Sequence, residues 1–242
     1  MLTSYVMNQA DLIHSVDNYQ PSDDVLRAMG RIKLLGTVGP TASGKTTLMN
    51  RLVAIDPGFQ MVVDETTRQP RPGEVAGVDF IFHDRDKVIE DMQSKKLVQA
   101  AIGPNGDLYC TRPNSYPDDG IGLLAMVPAA VREFRRLPIQ KFETAFIVPA
   151  TYDLWQSWLT RQAQNGNWSE EQLTGRKLEA KSSYEFALQD DKIRFILNDD
   201  ISKAADRLRQ VGTGQTPDDE EQAKEVAKQN LAKLSSELEN AQ

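Results

Sequence analysis

The segment Gly39 to Thr46 restricts the fold of this chain more than any other feature of its sequence. It reads Gly39-Pro40-Thr41-Ala42-Ser43-Gly44-Lys45-Thr46 and matches the pattern G-x-x-x-x-G-K-[ST]. The apolar run 32–38 precedes it and a helical stretch beginning at Thr47 follows, which is the strand, loop and helix setting that a phosphate-binding loop requires. In such a loop, backbone N–H groups converge on phosphate oxygens at a helix N-terminus.

Two side chains of this loop predict its chemistry. Lys45 is expected to reach the β and γ phosphates of a bound nucleotide, and the Thr46 hydroxyl to ligate a Mg²⁺ ion that bridges them. The backbone from Gly39 to Thr47 would hold the phosphates. This motif alone leaves ATPase, GTPase and kinase open.

The order of apolar runs predicts the fold class. Short apolar runs alternate with helical patterns along the chain, at 32–38, 59–63, 121–127, 142–148 and 193–197. This alternation indicates a parallel sheet covered by helices on both faces. With the phosphate-binding loop, it predicts an α/β protein of the P-loop NTPase type, a three-layer sandwich.

Composition excludes several classes of partner and compartment. The net charge is -7, from 28 Lys plus Arg against 35 Asp plus Glu, and such a field repels nucleic acid and anionic membranes. Cys110 has no second cysteine to pair with, and neither a secretory signal nor an apolar run of membrane-spanning length is found. We expect a cytoplasmic protein that binds neither nucleic acid nor membrane.

The chain is expected to have extensions at both ends of a single domain spanning 31–211. The extension 1–30 should contain one short helix that begins after Ser22 and ends near Gly30. The segment 212–242 should be a linker and an amphipathic helix. Its apolar stripe consists of Ala227, Leu231, Leu234 and Leu238. This stripe can dock on its own domain or pair two subunits as a homodimer.

A second phosphate site is indicated by two arginines after the second apolar run. Arg68 and Arg71 are three residues apart and are stiffened by Pro70 and Pro72. Their planar guanidinium groups can approach one phosphate from two directions. The surrounding segment, T-T-R-x-P-R-x-G-E-x-x-G-x-D-F-x-F, resembles the monophosphate-binding segment of guanylate kinases.

The resemblance extends over about 32–208. Tyr109-Cys110-Thr111 is similar to the family's Y-G-[ST], the segment 149–161 to the helix leading into its lid, and Asn198-Asp199-Asp200 to its N-D-D. It implies a core that binds ATP, a small β-rich lobe between about Arg68 and Ser115 that binds the acceptor, and a lid around Arg161 to Arg176.

The resemblance also assigns roles to residues. Lys45, Arg161 and Arg176 would be catalytic, with Lys177 as an alternative to Arg176, and Asn198 would lie near the ATP base. The residues expected to bind the acceptor are Asp64, Arg68, Arg71, Phe80, Gln99, Tyr109 and Thr111. The expected function is transfer of a phosphoryl group from ATP, with Mg²⁺, to a nucleoside monophosphate.

Two departures from the family concern the acceptor base. Asp64 and Gln99 stand where the family has a serine and a glutamate that contact guanine. An ionised Asp64 only accepts hydrogen bonds. Gln99 offers one donor and one acceptor, which complement the acceptor and donor groups on the edge of adenine. Altered base preference is one interpretation. The other is that Asp64 assists water-mediated Mg²⁺ binding and never meets the base.

Other departures concern turnover. Ala125 and Val127 replace two aspartates of the family, and Phe80 replaces a tyrosine that bonds the acceptor phosphate. Three functions therefore stay open: a nucleoside monophosphate kinase, a binding module that has lost catalysis, and a kinase for a phosphorylated sugar. Trp155 and Trp158 share a helix face and are expected to pack rather than to stack on a base.

Overall fold

The computed structural model of the chain describes residues 9–70, 73–103 and 106–240. In chain order the elements are α1 (Gln9–Asp17), α2 (Asp23–Met29), β1 (Lys33–Val38), α3 (Lys45–Ile55), β2 (Phe59–Met61), β3 (Glu65–Thr66), β4 (Ile81–Phe82), α4 (Arg85–Gln93), β5 (Gln99–Ile102), β6 (Leu108–Thr111), a 3₁₀ turn (Pro113–Ser115), β7 (Ile121–Ala125), α5 (Pro128–Phe134), β8 (Lys141–Pro149), α6 (Tyr152–Asn165), α7 (Glu170–Leu188), β9 (Ile193–Asn198), α8 (Ile201–Thr213) and α9 (Glu220–Asn240). The described residues divide into two compact units.

The larger unit comprises Lys33–Met61, Asp119–Arg132 and 141–240. Its strands form one parallel sheet with the order β2-β7-β1-β8-β9. Each of the five apolar runs supplies one of these strands, so the predicted α/β class is confirmed. The loop that follows β1 lies at the carboxyl edge of the sheet. Because β1 is the central strand, the loop lies in the middle of that edge.

Helices cover both faces of this sheet. On one face, α3 and α8 pack against the strands through a buried cluster that includes Leu35, Leu52, Ile147 and Leu208. On the other face, the Phe146 ring lies 5.1 Å from the Tyr184 ring of α7 and 5.6 Å from that of Phe195. Neighbouring residues of β8 thus point to opposite helical layers, as strand geometry requires.

The C-terminal helix α9 belongs to the larger unit. Ala227 and Leu234 of the predicted stripe are fully buried, and the Asn230 side chain donates to the Pro149 carbonyl at 2.9 Å. The stripe therefore docks on its own unit. Over the residues with described positions, no helix is long and apolar enough to cross a membrane.

The smaller unit comprises 9–32, the described residues of Val62–Asp118, and Glu133–Gln140. Its sheet has the order β4-β3-β6-β5, in which β6 is antiparallel to both β3 and β5. The predicted helix after Ser22 is α2, whose Val25 N–H donates to the Ser22 hydroxyl at 3.4 Å.

The helix α1, which sequence patterns did not predict, supplies part of the core of the smaller unit. Leu12 is buried with Met92, Leu97 and Leu108. Next to it, the Tyr19 hydroxyl donates to the Leu97 carbonyl at 2.7 Å and accepts from the Leu97 N–H at 3.0 Å. The described part of the N-terminal extension is thus an integral part of this unit, which extends beyond the predicted lobe.

Candidate functional site

Two glycines shape the loop between β1 and α3. Gly39 has φ 150° and Gly44 has φ 89°, a region that side chains disfavour. A Cβ at Gly44 would lie 2.6 Å from the Asn198 amide nitrogen, and one at Gly39 would lie 2.8 Å from the Ile147 carbonyl oxygen. Glycine is therefore required at both positions, and α3 begins at Lys45 with its first N–H groups at the loop.

The Lys45 side chain folds back into the loop. Its Nζ donates to the carbonyl oxygens of Gly39 at 2.8 Å and Pro40 at 2.9 Å. Burial lowers the pKa of Lys45 to about 8, because the ammonium group loses hydration that two carbonyls only partly replace. The Ser43 hydroxyl is also buried and has no hydrogen-bond partner among the described residues. Both groups are suited to an anionic ligand.

Two side chains from elsewhere in the larger unit fix the loop. The Asn198 amide donates to the Ser43 carbonyl at 2.9 Å, and the Trp155 indole N–H donates to the Thr41 carbonyl at 2.8 Å. Trp155 is fully buried, as expected for a packing residue. The loop is thus held from β9 and from α6.

An open cleft of about 700 Å³ lies over the loop. Its lining residues are Thr41, Ala42, Ser43, Gly44, Lys45, Thr46, Thr47, Leu48, Trp158, Arg161, Gln162, Asn165, Asn198, Asp199 and Ile201. Most of the predicted phosphate-binding residues are therefore brought together, with Arg161 and Asn198. Its size is in the range of ligand pockets.

Sequence reasoning missed three lining residues of α6, namely Trp158, Gln162 and Asn165. They lie three or four positions apart on the helix face that also carries Arg161. That spacing was visible in the sequence and could have identified them. Trp158 is half-buried and lines the cleft, so its expected role in packing alone is too narrow.

The other predicted lid arginine has different partners. Arg176 pairs with Glu179 at 2.8 Å and lies 5.7 Å from the Trp168 ring centre. It is not among the described residues that line the cleft. Lys177, the alternative to Arg176, pairs with Glu237 of α9. Only Arg161 of the two predicted lid arginines therefore lies at the cleft.

The loop fits a Mg²⁺ ion carried in by a nucleotide. Thr46 is exposed in the cleft, next to Lys45. Across 9–70, 73–103 and 106–240, no group of three or more His, Cys, Asp or Glu residues could hold a metal. The Thr46 hydroxyl would ligate the ion, and phosphate oxygens and water are the ligands that Mg²⁺ commonly adds to such a group.

The carboxyl end of β7, which neighbours β1, is apolar. Ala125 is exposed, and Val127 is 62% exposed. The two family carboxylates would stand at these positions. Val127 is one of the most exposed large hydrophobic residues of the larger unit, which fits the loss of a polar function rather than a gain in packing.

The predicted acceptor site lies in the smaller unit and centres on Arg68. Its guanidinium forms two hydrogen bonds with the Glu74 carboxylate, at 2.6 and 2.7 Å, and lies 4.6 Å from the Phe80 ring centre. The hydrogen bonds to Glu74 are the main reason why the pKa of Arg68 is raised. Burial opposes this shift, and interactions with Tyr109 add to it. Its Nε is buried without a hydrogen-bond partner in the described chain. Arg71 lies outside the described residues.

The remaining acceptor candidates surround β6. Thr111 is buried, and its hydroxyl is 2.7 Å from the Tyr116 hydroxyl. Gln99 is half-buried and is the cross-strand partner of Thr111. Asp64 immediately precedes β3, and burial raises its pKa to about 7. At neutral pH this carboxyl group therefore populates both its neutral and its ionised forms.

Comparisons with known proteins agree with this geometry. The guanylate kinase family model matches residues 31–215. The chain is 30% identical over 191 residues to a guanylate kinase from Corynebacterium efficiens, covering 76% of this chain and 96% of that protein. It is 27% identical over 187 residues to a guanylate kinase from Corynebacterium jeikeium, covering 75% and 95% respectively.

A solved structure shares the fold. The crystal structure of guanylate kinase from Anaplasma phagocytophilum superimposes with a TM-score of 0.55 at 21% sequence identity. The match covers 78% of this chain and 88% of the other. At this identity the likeness supports the fold alone. Both α1 and α9 lie outside the segment matched by the family model.

Proposed function

Because this chain belongs to the guanylate kinase family, we propose that it is an ATP-dependent kinase that transfers the γ-phosphoryl group to a nucleoside monophosphate. The observation that carries the proposal is the cleft over the phosphate-binding loop, where Lys45, Thr46 and Arg161 converge. A protein that only bound a partner would not need these three groups in one cleft.

The reaction requires alignment and charge neutralisation more than acid–base chemistry. A monophosphate oxygen is already anionic, so no strong general base is needed. In the larger unit, the loop N–H groups and Lys45 would hold the triphosphate, and Arg161 would neutralise charge on the transferring group. When bound, Mg²⁺ supplies further charge neutralisation of the phosphates. In the smaller unit, Arg68 would bind the acceptor phosphate through an ion pair.

The acceptor phosphate would share Arg68 with Glu74 rather than displace it. Glu74 now occupies both terminal nitrogens of the guanidinium, whereas Nε stays buried and unsatisfied. A phosphate oxygen at Nε would satisfy this donor while Glu74 keeps the guanidinium plane fixed against Phe80. We therefore assign Glu74 the role of holding Arg68 in place for the phosphate.

Asp64 and Gln99 bear on which base the acceptor nucleotide carries. Family membership favours GMP, and Asp64 and Gln99 favour a changed preference. A neutral Asp64 can donate to a carbonyl oxygen such as guanine O6, and an ionised Asp64 can only accept, as from the adenine amino group. Since the pKa of Asp64 is about 7, we expect the preference for GMP over AMP to fall as pH rises from 6 to 8.

A coupled assay of ADP formation tests the proposal. The acceptors are GMP, AMP, CMP, UMP, their deoxy forms and a set of sugar phosphates, with Lys45→Ala as the inactive control. ADP formation that depends on one nucleoside monophosphate is the expected result. ADP formation that is unchanged in Lys45→Ala, or that occurs only with a sugar phosphate, would refute it.

Two variants test the base assignment. We expect Asp64→Ser with Gln99→Glu to shift kcat/KM toward GMP by at least about tenfold, since a mispaired polar group costs about 1–3 kcal/mol. Asp64→Asn should remove the pH dependence of the GMP to AMP ratio. This ratio cancels the titration of the acceptor phosphate itself. An unchanged base preference in both variants would favour a role of Asp64 in Mg²⁺ hydration.

A binding module without turnover is the second candidate, and the exposed Val127 and Ala125 favour it. Its expected signature is thermal stabilisation by nucleotides with no ADP formed in the presence of any acceptor.

A further inference from the structure

The helix α9 reaches the two helices that carry the predicted lid arginines. It begins at Glu220, beyond the segment 31–215 that the family model covers. Its buried residues pack against β9 and α7, and Asn230 anchors it to the end of β8. The last turns of α9 thereby lie beside the first turns of α6 and the first half of α7.

One acidic residue of α9 joins these helices. The Glu237 carboxylate accepts hydrogen bonds from the Tyr152 hydroxyl and the Gln156 amide of α6, and from the Lys177 ammonium of α7. Although burial opposes ionisation of Glu237, the hydrogen bonds from Lys177 and Tyr152 hold its pKa below the ordinary value. The Lys177 side chain is 17% exposed and that of Glu237 is 37% exposed, so this ion pair is partly shielded from solvent.

The contacts continue from Glu237 to the phosphate-binding loop. The Tyr152 ring lies 5.6 Å from the Trp155 ring, and the Trp155 indole donates to the Thr41 carbonyl. The same helix presents Trp158 and Arg161 to the cleft. On the other side of the junction, Lys177 adjoins Arg176 in the chain. Glu237 therefore contacts the two helices on which both predicted lid arginines lie.

We propose that Glu237 is a positioning residue for phosphoryl transfer, holding α6 and α7 in the relative placement that sets Arg161 over the bound triphosphate. This inference rests on the proposed kinase function. Glu237 would act through Tyr152, Gln156 and Lys177, because its own side chain does not line the cleft. A displacement of catalytic groups by about 1 Å can cost about 100-fold in rate, so even a small rearrangement is measurable.

The test compares kinetics of four proteins well below their melting temperatures. Glu237→Ala should lower kcat about tenfold and change KM for ATP less than twofold, because the loop N–H groups that bind ATP are untouched. Glu237→Gln keeps an acceptor for Tyr152 and should regain most of kcat. Glu239→Ala, on the exposed face of the same helix, is the matched control and should match the wild type.

A double variant tests whether Glu237 and Lys177 act through the same junction. Glu237→Ala with Lys177→Ala should be no slower than Glu237→Ala alone, since both changes break one junction. Equal kcat for Glu237→Ala and wild type would overturn the proposal, as would Glu237→Gln being as slow as Glu237→Ala.

If the wild type phosphorylates no acceptor, the proposed function fails, and amide hydrogen exchange then decides the role of Glu237. ATP should protect α6 from exchange in the wild type and in Glu239→Ala but not in Glu237→Ala. Equal protection in all three proteins would overturn it.

Discussion

Replacing Lys45 by methionine is expected to stabilise the ligand-free larger unit at neutral pH while abolishing phosphoryl transfer. Burial lowers the pKa of Lys45 from its ordinary 10.5 to about 8. Keeping this ammonium charged in the folded state therefore costs about 3 kcal/mol at pH 7. Its hydrogen bonds to Gly39 and Pro40 return about 1 kcal/mol each, so methionine should gain about 1 kcal/mol net.

The pH dependence provides a sharper test than the absolute stability. Below pH 8, Lys45 is charged in both folded and unfolded states, and the full cost is present. Between pH 8 and 10.5 the unfolded state binds more protons, so the cost is relieved as pH rises. From pH 7 to 9.5, the wild type should therefore gain about 2 kcal/mol relative to Lys45→Met.

Urea unfolding at a series of pH values measures this difference. Tryptophan fluorescence is a suitable probe because the three tryptophans, Trp155, Trp158 and Trp168, all belong to the larger unit, as does Lys45. Lys33→Met, at an exposed position of the same unit, controls for the change in net charge and should keep the wild-type pH slope. Parallel pH slopes for wild type and Lys45→Met would refute the reasoning.

Three further predictions concern the acceptor site, the end of β7 and the N-terminal extension. Arg68→Lys should raise KM for the acceptor by at least about tenfold with KM for ATP unchanged, because lysine cannot form the paired bonds to Glu74; an unchanged KM would exclude Arg68 from the acceptor site. Ala125→Asp with Val127→Asp should raise kcat about tenfold by restoring two carboxylates near the loop, and a fall in kcat would show that the acceptor does not need them. Leu12→Ala should destabilise the smaller unit by about 3 kcal/mol in thermal or urea unfolding, and a loss below about 1 kcal/mol would contradict its place in the core.

The larger unit could be predicted from sequence because its signals are local. The run 32–38 and the loop after it each fix a conformation through neighbouring residues. The same holds for α2 of the smaller unit, whose ends are marked by Ser22 and Gly30. By contrast, α1 escaped prediction because its helix buries Leu12 against residues about 80 positions later, which no local pattern reveals. The pairing of Arg176 with Glu179 is local to α7, but whether Arg176 also reaches the cleft depends on how tertiary packing places that helix.

The site shows the same division. The loop residues come together because one strand and one helix carry them. The spacing of Trp158 and its neighbours shows that they share a face of α6, but the packing of α6 decides that this face lines the cleft. Glu237 gave no sequence signal, since a glutamate on an exposed-looking helix is ordinary, and only the fold brings Lys177 to it.

The segmented composition of the smaller unit affects the order in which the chain can fold. Its helix α1 is synthesised first, but the residues that cover Leu12 and Tyr19 follow after position 87, and Glu133–Gln140 come later still. On a ribosome, the N-terminal apolar residues must therefore wait for about a hundred further residues, and in the meantime they are exposed to aggregation or to a chaperone. Such long sequence separations also slow refolding. Removing α1 would therefore take away part of the buried interior of the smaller unit.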